Sequence, residues 1–200
     1  QNLNGFKQTV SDTYTTKAEF DGLQVGGTNL LPKSGNFKDN TGPWVSNGAN
    51  LTLDSSVTYS GYSTIKIVGN GGTTYNGFIQ LKANTTYTYS VLAKASSDIV
   101  GNHTTPLHMW LSTAQDPQHL ESVIAHNSSI GTKWTKAWIT FNTPNDGDVY
   151  YMKPFIYNIG DATVWLANAK IEEGNKVTDW SPAPADIDDS IALVDGKFVN

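Results

Sequence analysis

The chain has 200 residues, 38% hydrophobic and 16% charged, with a net charge of −5. That length suits one large all-β domain with short appendages rather than two full domains. Scattered charges exclude a basic nucleic-acid footprint, no apolar run reaches the ~20 residues of a membrane helix, and the absence of cysteine excludes disulfides and thiolate metal sites.

Polarity comes from Thr, Ser, Asn and Gly rather than from charge, a mix that favours strands and tight turns over helices. Residues 1–27 read as a connector. Phe6, Val10, Tyr14, Lys17 and Phe20 recur at roughly helical spacing, and Gly26-Gly27 breaks that segment from the rest of the chain. The opening Gln1-Asn2-Leu3-Asn4 carries no signal-peptide pattern and reads as an interior segment.

From Asn29 the period changes to two. Strands are predicted at Asn29–Leu31, Asn50–Asp54, Ser63–Val68, Gly77–Leu81, Thr86–Lys94, Leu107–Ser112, Glu121–His126, Thr135–Phe141, Val149–Tyr157 and Thr163–Ile171. Turn clusters separate them, among them Lys33-Ser34-Gly35-Asn36, Gly69-Asn70-Gly71-Gly72 and Pro144-Asn145-Asp146-Gly147. Many short strands with no helical stretch between them predict an antiparallel β-sandwich of jelly-roll type over residues 28–186. After Gly174 the chain reads as an exit: Trp180 can pack back on the sandwich, Pro182 and Pro184 stop any strand, and an acidic tail occupies 187–200.

Two strands carry the candidate chemistry. Leu107, Met109 and Leu111 alternate with His108, Trp110 and Ser112; Tyr150, Met152, Pro154 and Ile156 alternate with Tyr151, Lys153, Phe155 and Tyr157. If the aliphatic sets face the core, the mixed aromatic and cationic sets look outward. A sugar ring has an apolar C–H face and a rim of hydroxyls, so its site pairs an aromatic platform with polar partners. Trp110, His108, Lys153 and Tyr157 are therefore the expected ligand-binding residues of one groove, with Tyr75 and Gln80 at its rim. For each aromatic, core packing is the competing reading. Trp138 and Trp165 sit among alternating apolar residues and are expected in the core, while Trp44 and Trp134 stay open between loop and strand edge.

Catalysis has no comparable support. Acidic residues cluster in turns and at the ends, Glu121 stands nearly alone as a strand carboxylate, and no paired glycosidase carboxylates are indicated. His103, His108, His119 and His126 pair at no metal-ligand spacing. The chain is expected not to be an enzyme and to need no cofactor.

Longer stretches carry a resemblance. Asn29-Leu30-Leu31-Pro32 resembles the start of carbohydrate-binding modules of the family 4, 9 and 22 type. Leu81 through Ser90 is similar to their L-x-x-x-T-x-Y-T-x-S core strand, and Val164 through Glu172 to their last strand. Ile171-Glu172-Glu173-Gly174, followed by Thr178-Asp179-Trp180-Ser181-Pro182-Ala183-Pro184, resembles modules inserted in tail and baseplate proteins of phages that infect Gram-positive bacteria. Phe6 through Asp12 and Asp21-Gly22-Leu23 resemble the connectors of such proteins.

The resemblance implies a jelly roll that binds host cell-wall saccharide without catalysis, assisting adhesion from an extracellular virion. Bacterial surface polysaccharide and other tail proteins are the implied partners; nucleic acid and membrane are not. A structural spacer contacting tail proteins is the alternative. Many such modules bind a structural calcium ion through an Asp of the last strand. Ala167 stands there, with only Asn168 nearby, so the ion is not assumed.

Overall fold

Along Thr135–Asn142, buried Ala137, Ile139 and Phe141 alternate with exposed Trp138, Thr140 and Asn142. The computed structural model describes residues 26–99, 107–112, 122–126, 130–145, 150–158 and 161–187. Its strands are β1 (Trp44–Asn47), β2 (Asn50–Tyr59), β3 (Tyr62–Val68), β4 (Gly71–Tyr75), β5 (Ile79–Leu81), β6 (Thr86–Ala95), β7 (Leu107–Ser112), β8 (Ser122–His126), β9 (Thr135–Asn142), β10 (Tyr150–Asn158) and β11 (Val164–Glu173). The front sheet runs β1-β4-β10-β7-β8, with β5 also on β10, and the back sheet runs β2-β3-β11-β6-β9. Every pairing of named strands is antiparallel, so the molecule is the expected jelly-roll sandwich.

In β6, Tyr87, Tyr89, Val91, Ala93 and Ala95 fill the core, sharing it with Ile65 and Ile67 of β3 and Leu166 and Ile171 of β11 in the same sheet and with Met152 of the front sheet. Burying one such side chain contributes roughly 1.5–3 kcal/mol. Thr88 and Ser90 point the other way and are nevertheless buried. The segment after Gly174 lies across them: the Thr88 hydroxyl donates to the Gly174 carbonyl at 2.8 Å.

Differences from the predicted elements trace to long-range packing. Asn29–Leu31 is not a strand, although the Leu30 amide bonds the Ile171 carbonyl at 2.7 Å. The fully buried Asn29 carboxamide accepts from the Leu31 and Ile171 amides and donates to Ser34 Oγ and the Ser181 carbonyl. It thereby ties the start of the sandwich to its last strand and to the exit segment. β1 and β4 were not predicted. Gly71 and Gly72 read as turn residues, yet they begin a strand because β1 on one side and β10 on the other supply its hydrogen bonds. The glycine-rich turn shrinks to Gly69-Asn70. Residues 1–25 of the predicted connector and 188–200 of the predicted tail lie outside the described residues, and residues 184–187 form one helical turn.

Candidate functional site

β10 is the centre of the front sheet, and its two faces have different characters. Tyr150 and Met152 are buried in the core, as is Leu111 of β7. Tyr151 and Lys153, one position off, are half-exposed on the reverse face. The register sets Lys153 opposite Trp110, Tyr151 opposite Ser112 and Phe155 opposite His108. On the other edge of β10, Tyr151 also pairs with Gln80 of β5, which is exposed.

Pro154 shapes this edge. Strand pairing there stops between Met152↔Ile79 and Phe155↔Thr74. A proline has no N–H to offer a ladder, so a central strand containing one must interrupt its pairing. Its carbonyl accepts from the Thr74 hydroxyl at 3.3 Å. The chain leaves the sheet at Asn76–Phe78 in that gap, and the Phe78 ring comes to lie 5.5 Å from the Lys153 ammonium. Such a contact places a cation against an aromatic face beside open strand surface.

Of the residues expected in the groove, the backbone register thus brings Lys153, Trp110 and Gln80 onto adjacent strands. Tyr157 stands four positions beyond Lys153, about 13 Å along the strand, opposite Gly72. The side chains of His108, Trp110 and Tyr157 lie outside the described residues. Tyr75 is not at the rim. It is 7% exposed, packs edge-on against Trp44 at 5.7 Å, and donates its hydroxyl to the Pro32 carbonyl at 3.1 Å. Burial pushes its hydroxyl pKa up to about 12.

The tryptophans also sort differently. Trp44, open between loop and strand edge in the sequence, is in the core on β1. Trp138, expected in the core, is 48% exposed, because Ala137, Ile139 and Phe141 are the core row of β9. Trp165 likewise lies on the outer face of β11, between core-facing Val164 and Leu166. Strand alternation could have found both. Trp180 does pack back on the sandwich, with its indole N–H on Ser34 Oγ at 3.3 Å.

A second aromatic cluster covers the outer face of the back sheet, and sequence reading missed it. The Lys94 ammonium lies 5.5 Å from the Trp165 ring and 6.0 Å from that of Trp134, while Tyr59 meets Trp134 edge-on at 5.4 Å. The Trp165 indole donates to Asp54 at 2.9 Å. Hydrogen bonds from Ser56 and Trp165 hold the Asp54 carboxyl at a pKa of about 2. This network pins the β2–β3 hairpin to the sheet.

The residues at Ala167 and Asn168 do not fit a calcium ion. Ala167 offers a buried methyl group, and the bulge after it turns Asn168 to φ 52° beside Gly35. One neutral amide supplies too little oxygen and no charge. Among the described residues no helix is long and apolar enough to cross a membrane.

The family model for carbohydrate binding domains matches residues 29–153, more than half of the chain. No curated protein sequence matches it. Among solved structures, the chain is similar to the CBM22-2 xylan-binding domain of Xyn10C from Paenibacillus barcinonensis, at 15% identity and TM-score 0.50, over 70% of this chain and 98% of that one. The CBM22-1 xylan-binding domain of the same protein gives 15% identity and TM-score 0.51, over 76% and 97%. The enzymatically active domain of tailspike protein 4 from bacteriophage CBA120 gives 12% identity and TM-score 0.50, over 72% of this chain and 21% of that one. At these identities the shared property is the fold. The family-model match over residues 29–153 shows that the chain belongs to the carbohydrate binding domain family.

Proposed function

We propose that the chain binds a bacterial cell-wall saccharide, without catalysis, on the outward face of the front sheet around β10. The observation that carries this reading is the register of Lys153 opposite Trp110, on the reverse of the strands that bury Met152 and Leu111. A cation, an aromatic position and the exposed Gln80 amide on adjacent strands suit a sugar's hydroxyl rim and C–H face. The same fold within a phage tailspike, together with the exit residues Ile171–Gly174 and Thr178–Pro184, supports a place in a phage tail or baseplate protein that assists host adhesion. Many weak sites on one virion would then act by avidity, without any new contact.

The test is direct. Fluorescently labelled chain labels host cells, and Trp110→Ala with unchanged circular dichroism weakens that labelling. Absence of labelling by the parent chain across host strains would instead favour a structural spacer between tail proteins.

A further inference from the structure

Between the 33–42 loop and the exit segment 180–187 lies an open cleft of about 600 Å³. That volume falls within the range of roughly 300–1,000 Å³ typical of small-molecule sites. None of its lining residues belongs to β5, β7 or β10. It is a separate place on the molecule.

Its walls are built rather than loose. The Asp186 carboxylate accepts the Lys33 amide at 2.9 and 3.1 Å and the Ala183 amide at 3.1 Å, joining the two sides of the cleft. Asn40 caps the Gly42 amide at 2.8 Å. The Trp180 indole is held by Ser34 and lies flush against Gly35, where an added Cβ would stand 2.8 Å from the ring. A ligand entering here meets a preformed shape, so little ordering opposes binding.

The lining chemistry selects the ligand class. Trp180 and Tyr62, both half-exposed, supply aromatic surface, while Asn36, Lys38, Asp39 and Asn40 supply amide, ammonium and carboxylate groups. Two lysines and two aspartates line the cleft, so its formal charge is zero. That balance disfavours a strongly charged ligand, and the aromatic and polar mixture suits C–H faces bordered by hydroxyls.

We propose that this cleft is a second saccharide site, taking a neutral glycan, in addition to the front face. The inference rests on the carbohydrate-binding reading but not on the placement of the front site. Two sites on one module would let it hold two stretches of glycan together, raising apparent affinity through effective concentration.

The test is a titration of the ¹⁵N-labelled full chain with xylohexaose, cellohexaose and solubilised Gram-positive wall polysaccharide. The Trp180 indole N–H and the Asn36 and Asn40 amides are expected to shift. Tyr62→Ala should remove those shifts, weakening this site at least tenfold, while the Gln80 signals respond as before. Lys38→Glu, at an exposed position, gives the same readout should Tyr62→Ala fold poorly. Movement of Gln80 with a stationary cleft would overturn the second site and leave the family function intact. Cleft shifts that survive both variants would overturn it too. A chain silent to every probe would sink both readings.

Discussion

The Lys170 ammonium lies 3.2 Å from the Glu172 carboxylate, and the two side chains are 1% and 0% exposed. They stand two apart on β11, on its outer face, where side chains ordinarily reach water. The exit segment seals them. Thr178 donates its amide and its hydroxyl to Glu172 at 2.8 and 2.6 Å, and Lys170 donates to the Thr178 hydroxyl and the Asp179 carbonyl at 2.6 and 2.9 Å. Lys136 holds the same strap through Asp179 at 3.0 Å. The segment that reads in sequence as a domain exit is thus part of the sandwich.

Breaking that pair from one side leaves a buried charge uncompensated, which costs roughly 3–5 kcal/mol. Lys170→Met is therefore expected to lose stability on that scale in urea unfolding. The double variant Lys170→Met with Glu172→Leu should lose much less, because it removes both charges. Equal losses would show that the strap is held by other contacts.

Two tyrosines invite opposite outcomes. Tyr75→Phe removes a bond to Pro32 and should cost about 1 kcal/mol, with saccharide binding unchanged. The Tyr89 hydroxyl is buried with no hydrogen-bond partner among the described residues, and burial raises its pKa strongly. Tyr89→Phe should be neutral or stabilising, since it deletes an unsatisfied polar group. Thermal melts of both variants decide this.

Acid should weaken the β2–β3 hairpin through Asp54. Its carboxyl sits at about 2 against an ordinary 3.8, so the folded protein favours the ionised form. That contribution is fully present above pH 3.8 and is lost as pH falls toward 2. Asp54→Asn should lower the melting temperature at neutral pH, and the gap to the parent should close as pH falls from 3.8 toward 2. A constant gap would contradict this.

On the front face, Lys153→Ala is expected to weaken saccharide binding about tenfold, equivalent to ~1.4 kcal/mol, with little change in stability. Isothermal titration against the wall polysaccharide measures it. Unaltered affinity would move the site away from β10.

Gly71 tests the unexpected strand β4. Its φ is +136°, and an added Cβ would lie 2.6 Å from the backbone of Gly48 and Ala49. Gly71→Ala is expected to destabilise by about 1–3 kcal/mol, visible as a lower urea midpoint.

Most of the sandwich was legible in the residues themselves. Strands such as Leu107–Ser112, and the inward and outward rows of β10, follow from an alternation that each strand carries locally. The same alternation, read strictly, places Trp138 and Trp165 outward. Tertiary structure decided the features that no local pattern encodes. Gly71-Gly72 became strand because neighbours far along the chain offered hydrogen bonds. Tyr75 left the expected rim because Trp44 and Pro32 surround it. The outward-facing Lys170 and Glu172 became buried because the chain's own exit folds back across them. Sequence alone determined which face of each strand is apolar, since that needs only a period of two; which faces are covered, and by what, depends on contacts between residues distant in the chain.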